Sequence, residues 1–117
     1  MTVHDIIKTA FANEYEGIES DPDAVRHSLD VLNLLLVECY NAEQNSRERD
    51  GKDLLTEIPR VSTLEDDVPY NAMLTRWALP YGFEAKYAEQ NLEESKAIQY
   101  RQMYEDAKMI AGGGVWV

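Results

Sequence analysis

An all-α fold is predicted from three observations. Apolar residues recur at steps of three and four along most of the chain, helix-capping residues stand ahead of those stretches, and a single irregular segment bracketed by prolines interrupts them. The 117 residues suit one domain that buries roughly two-thirds of its unfolded surface. With 44% apolar and 28% charged residues, the composition supports a folded core. The expected architecture has about four helices, with a long second helix, a proline-kinked third, an extended inter-helix arm and an extended C-terminal tail.

The first helix is expected over residues 3 to 14 or 15, ending before Gly17. Thr2 and Asp5 have capping-box spacing, and Ile6, Ile7, Ala10 and Phe11 form one apolar stripe. The second helix starts after Ser20 or Asp21, with Pro22 at its first position and acids at the positive end of the helix dipole. Those acids fit a cap better than a calcium loop, whose glycine and remaining ligands are missing. Val25, Leu29, Leu32, Leu36 and Cys39 or Tyr40 mark its apolar face. It continues to about Arg49, before Gly51, a length of roughly 40 Å. Its last third, residues 43–50, is polar throughout and is expected to project beyond the core.

Residues 52–69 show no helical period. Ile58, Pro59, Val61, Leu64, Val68, Pro69 and Tyr70 make this segment too apolar for a free tether. An ordered arm is expected, packed on its own domain or a neighbouring one. Asp67 is the expected cap of the third helix, which carries Met73, Leu74, Trp77 and Ala78. Pro80 must kink or restart that helix, and Tyr81 and Gly82 follow it, the glycine weakening the helix by roughly 1 kcal/mol. The fourth helix is expected over residues 92–110, with Ala97, Tyr100, Tyr104, Ala107 and Ala111 as its buried stripe. Residues 1–111 then form the helical domain and 112–117 the tail. Gly112, Gly113 and Gly114 are a joint with little conformational preference, and Val115, Trp116 and Val117 behind it form an apolar docking element.

The 22 acidic side chains outnumber 11 basic ones, giving a net charge of −11 and a pI near 4.5. That balance excludes proteins that hold nucleic acid by neutralising phosphates. The N-terminus lacks a basic region followed by an apolar stretch, so signal-peptide secretion is not expected. The longest apolar run is residues 34–37, far short of the ~20 needed to span a bilayer, and no membrane role is expected. The lone Cys39 lies in an apolar helical pattern and reads as a small buried hydrophobe in an intracellular protein without redox chemistry.

No catalytic, metal or cofactor constellation can be assembled. His4 and His27 fall on different helices, and Asp23, one turn before His27, reads as its surface hydrogen-bond partner. No glycine-rich loop precedes a helix. Acidic clusters such as Glu93-Glu94 and Glu65-Asp66-Asp67 read as solvated faces.

One pattern resembles a known family. The run from Leu54 to Gln90, with its Ile58-Pro59 arm, its acidic turn before Pro69-Tyr70, and Leu79-Pro80-Tyr81-Gly82, follows a long helix with polar residues from Glu38 to Asn45. It precedes a helix with Tyr100 and Tyr104. This is similar to the head-to-tail connector (adaptor, or neck) proteins of tailed bacteriophages over roughly residues 20–110. The resemblance implies a non-enzymatic virion protein, assembled in the host cytoplasm into a ring, commonly dodecameric. The ring sits in the head-to-tail neck between the portal protein and a stopper or tail-completion protein. DNA passes through the lumen without being specifically bound, the 52–70 arm serves contacts between subunits, and Gly112 to Val117 reach the portal. The acidic balance agrees, since negative walls repel phosphates. The competing class is an acidic DNA mimic that inhibits a nucleic-acid-binding host protein; it explains the charge but neither the arm nor the tail.

Overall fold

The computed structural model describes residues 1–113; Gly114, Val115, Trp116 and Val117, in the expected docking tail, lie outside the described residues. The fold is all-α. Helices α1 (Val3–Ala10), α2 (Tyr15–Glu19), α3 (Pro22–Arg49), α4 (Leu79–Gln90) and α5 (Glu94–Ala111) surround one core, and a π-helical turn, Leu74–Ala78, leads directly into α4. The α4–α5 hairpin packs on α3, and α1 packs on α4 and the π turn.

The expected capping box closes α1. Thr2 Oγ1 accepts from Asp5 N–H at 3.2 Å, and Asp5 accepts from Thr2 N–H at 3.4 Å. Val3, Ile6 and Ile7 are fully buried. The helix stops four or five residues earlier than expected, at Phe11, and the chain re-forms as α2 around Gly17. Two aromatic anchors account for the break. Phe11 packs against Phe83 and Tyr87 of α4, whereas Tyr15 turns back to set its ring edge-on to His4 at 4.7 Å. A continuous helix would place these two rings on one face.

Asp21 caps α3 by accepting from Asp23 and Ala24 N–H, with Pro22 at the first position. Gly51, at φ +70°, ends it. At 28 residues the helix is about 42 Å long, matching the molecule's 41 Å long dimension. Its core face is Leu32, Leu35, Leu36, Cys39 and Ala42. The expectation that residues 43–50 project beyond the core is corrected: Glu43 and Ser46 are buried. Their polarity serves hydrogen bonds inside the fold, Glu43 accepting from Asn71 and Arg47 and Ser46 Oγ from Arg49, rather than exposure to water.

The helix expected to start from an Asp67 cap begins later. Asn71 Oδ1 accepts from Leu74 N–H at 3.1 Å and caps it, while Asp67 pairs with the N-terminal ammonium and forms a bridge with Thr2. Pro80 does not break this helix. Its ring would meet the Arg76 carbonyl one turn back, and the chain widens there into the π turn, with Leu79 N–H bonding Leu74 C=O five residues behind. Gly82 lies where α4 crosses α3 and α5; a Cβ at this position would stand 2.9 Å from Leu35 Cδ2 and 3.2 Å from Tyr104 Cδ1.

Helix α4 ends in two tight bonds, Glu93 N–H to Ala88 C=O and Leu92 N–H to Glu89 C=O. This closure requires a left-handed residue and usually takes glycine. Here Leu92 fills it at φ +57°, with 86% of its surface exposed. The left-handed backbone costs a leucine roughly 1–2 kcal/mol, and glycine returns about half of that through its freer unfolded chain. Leu92→Gly is therefore expected to stabilise the fold by about 0.5 kcal/mol in urea unfolding.

Candidate functional site

Polar side chains of α3 fasten the arm. Asn33 forms a two-point amide bond with Val61, its Nδ2 donating to the carbonyl at 2.9 Å and its Oδ1 accepting from the N–H at 2.8 Å. Gln44 treats Leu55 in the same way, at 2.9 Å in each direction. Each side chain reproduces the pairing of a neighbouring strand. The arm therefore runs antiparallel to α3, with Leu55 beside Gln44 and Val61 beside Asn33.

At the C-terminal end of α3, Glu43 is 3% exposed and accepts from Asn71 N–H at 2.6 Å, Asn71 Nδ2 at 3.1 Å and Arg47 Nε at 2.7 Å. Arg47 continues the network, donating to the carbonyls of Asp53 and Pro69 at 3.0 and 2.8 Å. At the other end, the carbonyls of Asp66 and Leu64 accept from Val3 and His4 N–H, satisfying donors that open the first turn of α1. Asp66 gathers the N–H and hydroxyl groups of Ser62 and Thr63, which hold its carboxyl below the usual carboxylate range.

This fastening divides the residues expected to contact a neighbouring subunit. Val61, Val68 and Tyr70 lie in their own protomer's core, so they are not available to a second chain, and Tyr70 Oη donates to Leu36 C=O at 2.6 Å. Pro59 and Leu64 are half-buried, and Ile58 and Pro69 remain exposed. Of the kink residues, Gly82 is buried and Tyr81 is half-buried, its ring tilted towards exposed Trp77 at 6.3 Å and stacked with Tyr100 at 6.5 Å. Within the expected tail, Gly112 and Gly113 belong to the end of α5. A Cβ on Gly112 would be 3.4 Å from Ala42 Cα, and Gly113 takes φ +89° beside Arg49.

Behind the helix crossing, Cys39 Sγ lies 3.5 Å from Tyr104 Oη, which donates to Glu38 Oε1 at 2.8 Å. Burial raises the Cys39 thiol to about 11 and pushes the Tyr70 and Tyr104 phenols well up. Because these folded-state values are raised, the stability they contribute is complete below the unfolded thiol and phenol range and is lost as pH rises through the folded values. The melting temperature is expected to hold from neutrality to about pH 9 and to fall between pH 9 and 11. A pH series of thermal melts checks this, and Cys39→Ala should shift the onset upward, towards the phenol range.

An apolar recess was not foreseen from the sequence. A cleft of about 120 Å³ opens between α2, α3 and α4 and is lined by Phe11, Ile18, Val31, Phe83 and Tyr87. Lys86, His27 and Gln90 also border it, and His27 Nε2 bonds Gln90 Nε2 at 2.8 Å rather than Asp23, which pairs with Arg26. Its lining residues come from four separate stretches, so no local spacing revealed it. Among the described residues, no three metal-ligating side chains converge, and no helix is long and apolar enough to cross a membrane. The arrangement offers a surface to receive an apolar side chain.

The fold and these surfaces define an all-α body with a side-chain-fastened arm. Comparison with protein-family models, curated proteins and solved structures finds no match to this chain.

Proposed function

We propose that the chain is a structural virion protein of the tailed-phage head-to-tail adaptor type. It forms a ring between the portal and the next neck or tail component, and DNA passes through the lumen. The supporting observation is the placement of ten large hydrophobic residues in solvent: Leu34 and Val37 on α3, Leu54 and Ile58 on the arm, Trp77 and Tyr87 around α4, and Leu92, Ile98, Met109 and Ile110 at or on α5. A subunit that meets two ring neighbours and a component on each side needs apolar contacts on several segments. The resemblance of residues 20–110 supplies the identity of the assembly, and the excess of 22 acids over 11 basic residues suits a wall that DNA passes without binding.

The purified chain, mixed with its portal, is expected to co-sediment as a large complex that negative-stain imaging shows as a ring. Deleting residues 114–117 leaves the α5 cap of Gly112 and Gly113 in place. The truncated chain should keep its helical circular dichroism while portal affinity falls at least tenfold, the loss expected for an anchoring tryptophan worth about 2 kcal/mol. Unchanged affinity would remove the tail from the docking role. A chain that forms no ring and instead competes with DNA for a basic partner would support the DNA-mimic reading.

A further inference from the structure

Leu92 accepts two penalties that its own fold does not compensate, a left-handed backbone and almost complete exposure of an apolar side chain. The position after Leu92, which in this type of helix end usually carries an apolar residue packed back on the last turn, is the charged Glu93, so the closure gains no apolar contact there. Two residues earlier, Gln90 borders the apolar cleft between α2, α3 and α4. The cleft's volume, about 120 Å³, is close to what removing a leucine side chain from a packed core leaves behind. The charge is also complementary. In a chain of 22 acids the cleft lining contains none and carries the cation Lys86, while Glu93 and Glu94 follow Leu92 directly.

We infer that Leu92 of one copy enters the α2/α3/α4 cleft of a second copy of this chain, as the knob of a head-to-tail contact between subunits. Its own cleft does not hold it, as its exposure shows. Knob and cleft are different surfaces, so each copy can give one contact and receive another. Repetition of that contact builds a ring when the rotation closes. Glu93 and Glu94 approach Lys86 as the leucine seats, which favours this partner over a second acidic face. The inference rests on the reading of the chain as a self-assembling subunit and names the surface that does the assembling.

The test uses Leu92→Gly, which removes the knob, and Ala24→Phe, which fills the cleft from α3. Sedimentation velocity over a concentration series reaching the millimolar range is expected to show assembly by the wild-type chain and at least tenfold weaker assembly by either variant alone. An equimolar mixture should stop at a heterodimer, because only the Leu92 of the Ala24→Phe chain meets an open cleft. Leu92→Gly should also melt about 2 °C higher than wild type, so its loss of assembly cannot be misfolding. A second readout mixes Leu92→Cys with Ala24→Cys under mild oxidation. The sole native thiol, Cys39, is buried, so a cross-linked heterodimer reports the contact. If the wild-type chain assembles and Leu92→Gly assembles equally well with no cross-link, the inference is overturned while the adaptor reading stands. A wild-type chain that stays monomeric alone and with its portal overturns both.

Discussion

Replacing Glu43 by alanine is expected to cost about 3 kcal/mol of folding stability, the largest effect of any polar substitution in this chain. The carboxylate is almost fully buried and accepts three hydrogen bonds, from Asn71 N–H, Asn71 Nδ2 and Arg47 Nε. Its removal leaves the Asn71 backbone donor, at the cap ahead of the π turn, unpaired and takes the counter-charge from Arg47. Arg47 keeps 22% of its side chain in solvent and can recruit water, which places the cost at the lower end of the range for breaking a buried pair. The substitution also loosens the arm, because Arg47 loses the carboxylate that aims it at the carbonyls of Asp53 and Pro69. Urea unfolding measures the stability, and amide exchange at Asn71 reports the local release. Glu43→Gln retains an acceptor for Asn71 and should lose about half as much. A change below 1 kcal/mol for Glu43→Ala would show that the apolar anchors Val61, Val68 and Tyr70 hold the arm unaided.

The second large effect is expected at Gly82. Alanine in place of glycine gains about 1 kcal/mol of helix propensity, which offsets the displacement of the Leu35 side-chain end that its Cβ requires, so Gly82→Ala should be nearly neutral. Valine adds two methyl groups at a crossing where Leu35 and Tyr104 already stand within 3.2 Å of a Cβ position, and it moves the α4–α5 pair away from α3. The expected loss for Gly82→Val is about 2–3 kcal/mol by urea unfolding. Equal stabilities for the two variants would mean that the crossing yields by rotamer changes alone. Displacing Tyr104 also disturbs its bond to Glu38, so the Val variant should show a less raised phenol titration by ultraviolet absorbance.

Much of the fold was legible because it is written in local spacing. The Thr2–Asp5 box, the Asp21-Pro22 start and the Gly51 stop each involve residues within one turn of one another, and their hydrogen bonds form in any chain that enters the helix. Cys39 was recognisable as a buried side chain from the apolar period around it. The end of α1 was not legible, because Phe11 and Tyr15 are both compatible with a continuing helix. Only Phe83, Tyr87 and His4, distant in sequence or a turn out of register, pull the two rings apart. Leu92, expected as the first residue of the fourth helix, lies two residues before it, because nothing in a leucine announces a left-handed turn.

The polar third of α3 is the clearest limit. A run containing Glu43, Gln44, Ser46 and Arg47 has the composition of a solvated helix end, and composition counts only what a side chain is, not what it faces. Its partners, the backbone groups of Leu55, Pro69 and Asn71, are 11 to 28 residues away and carry no side-chain signature. The sequence by itself determined the all-α class, the long central helix, the existence of an ordered apolar arm and the acidic surface, since each follows from short-range periodicity, capping or charge. Tertiary structure alone decided that the arm lies along its own α3, that Pro80 is absorbed by a π turn, that Leu92 takes an exposed left-handed position, and that an apolar cleft opens between α2, α3 and α4. These depend on which distant groups meet, and burial makes a polar side chain valuable only once its partner is in place.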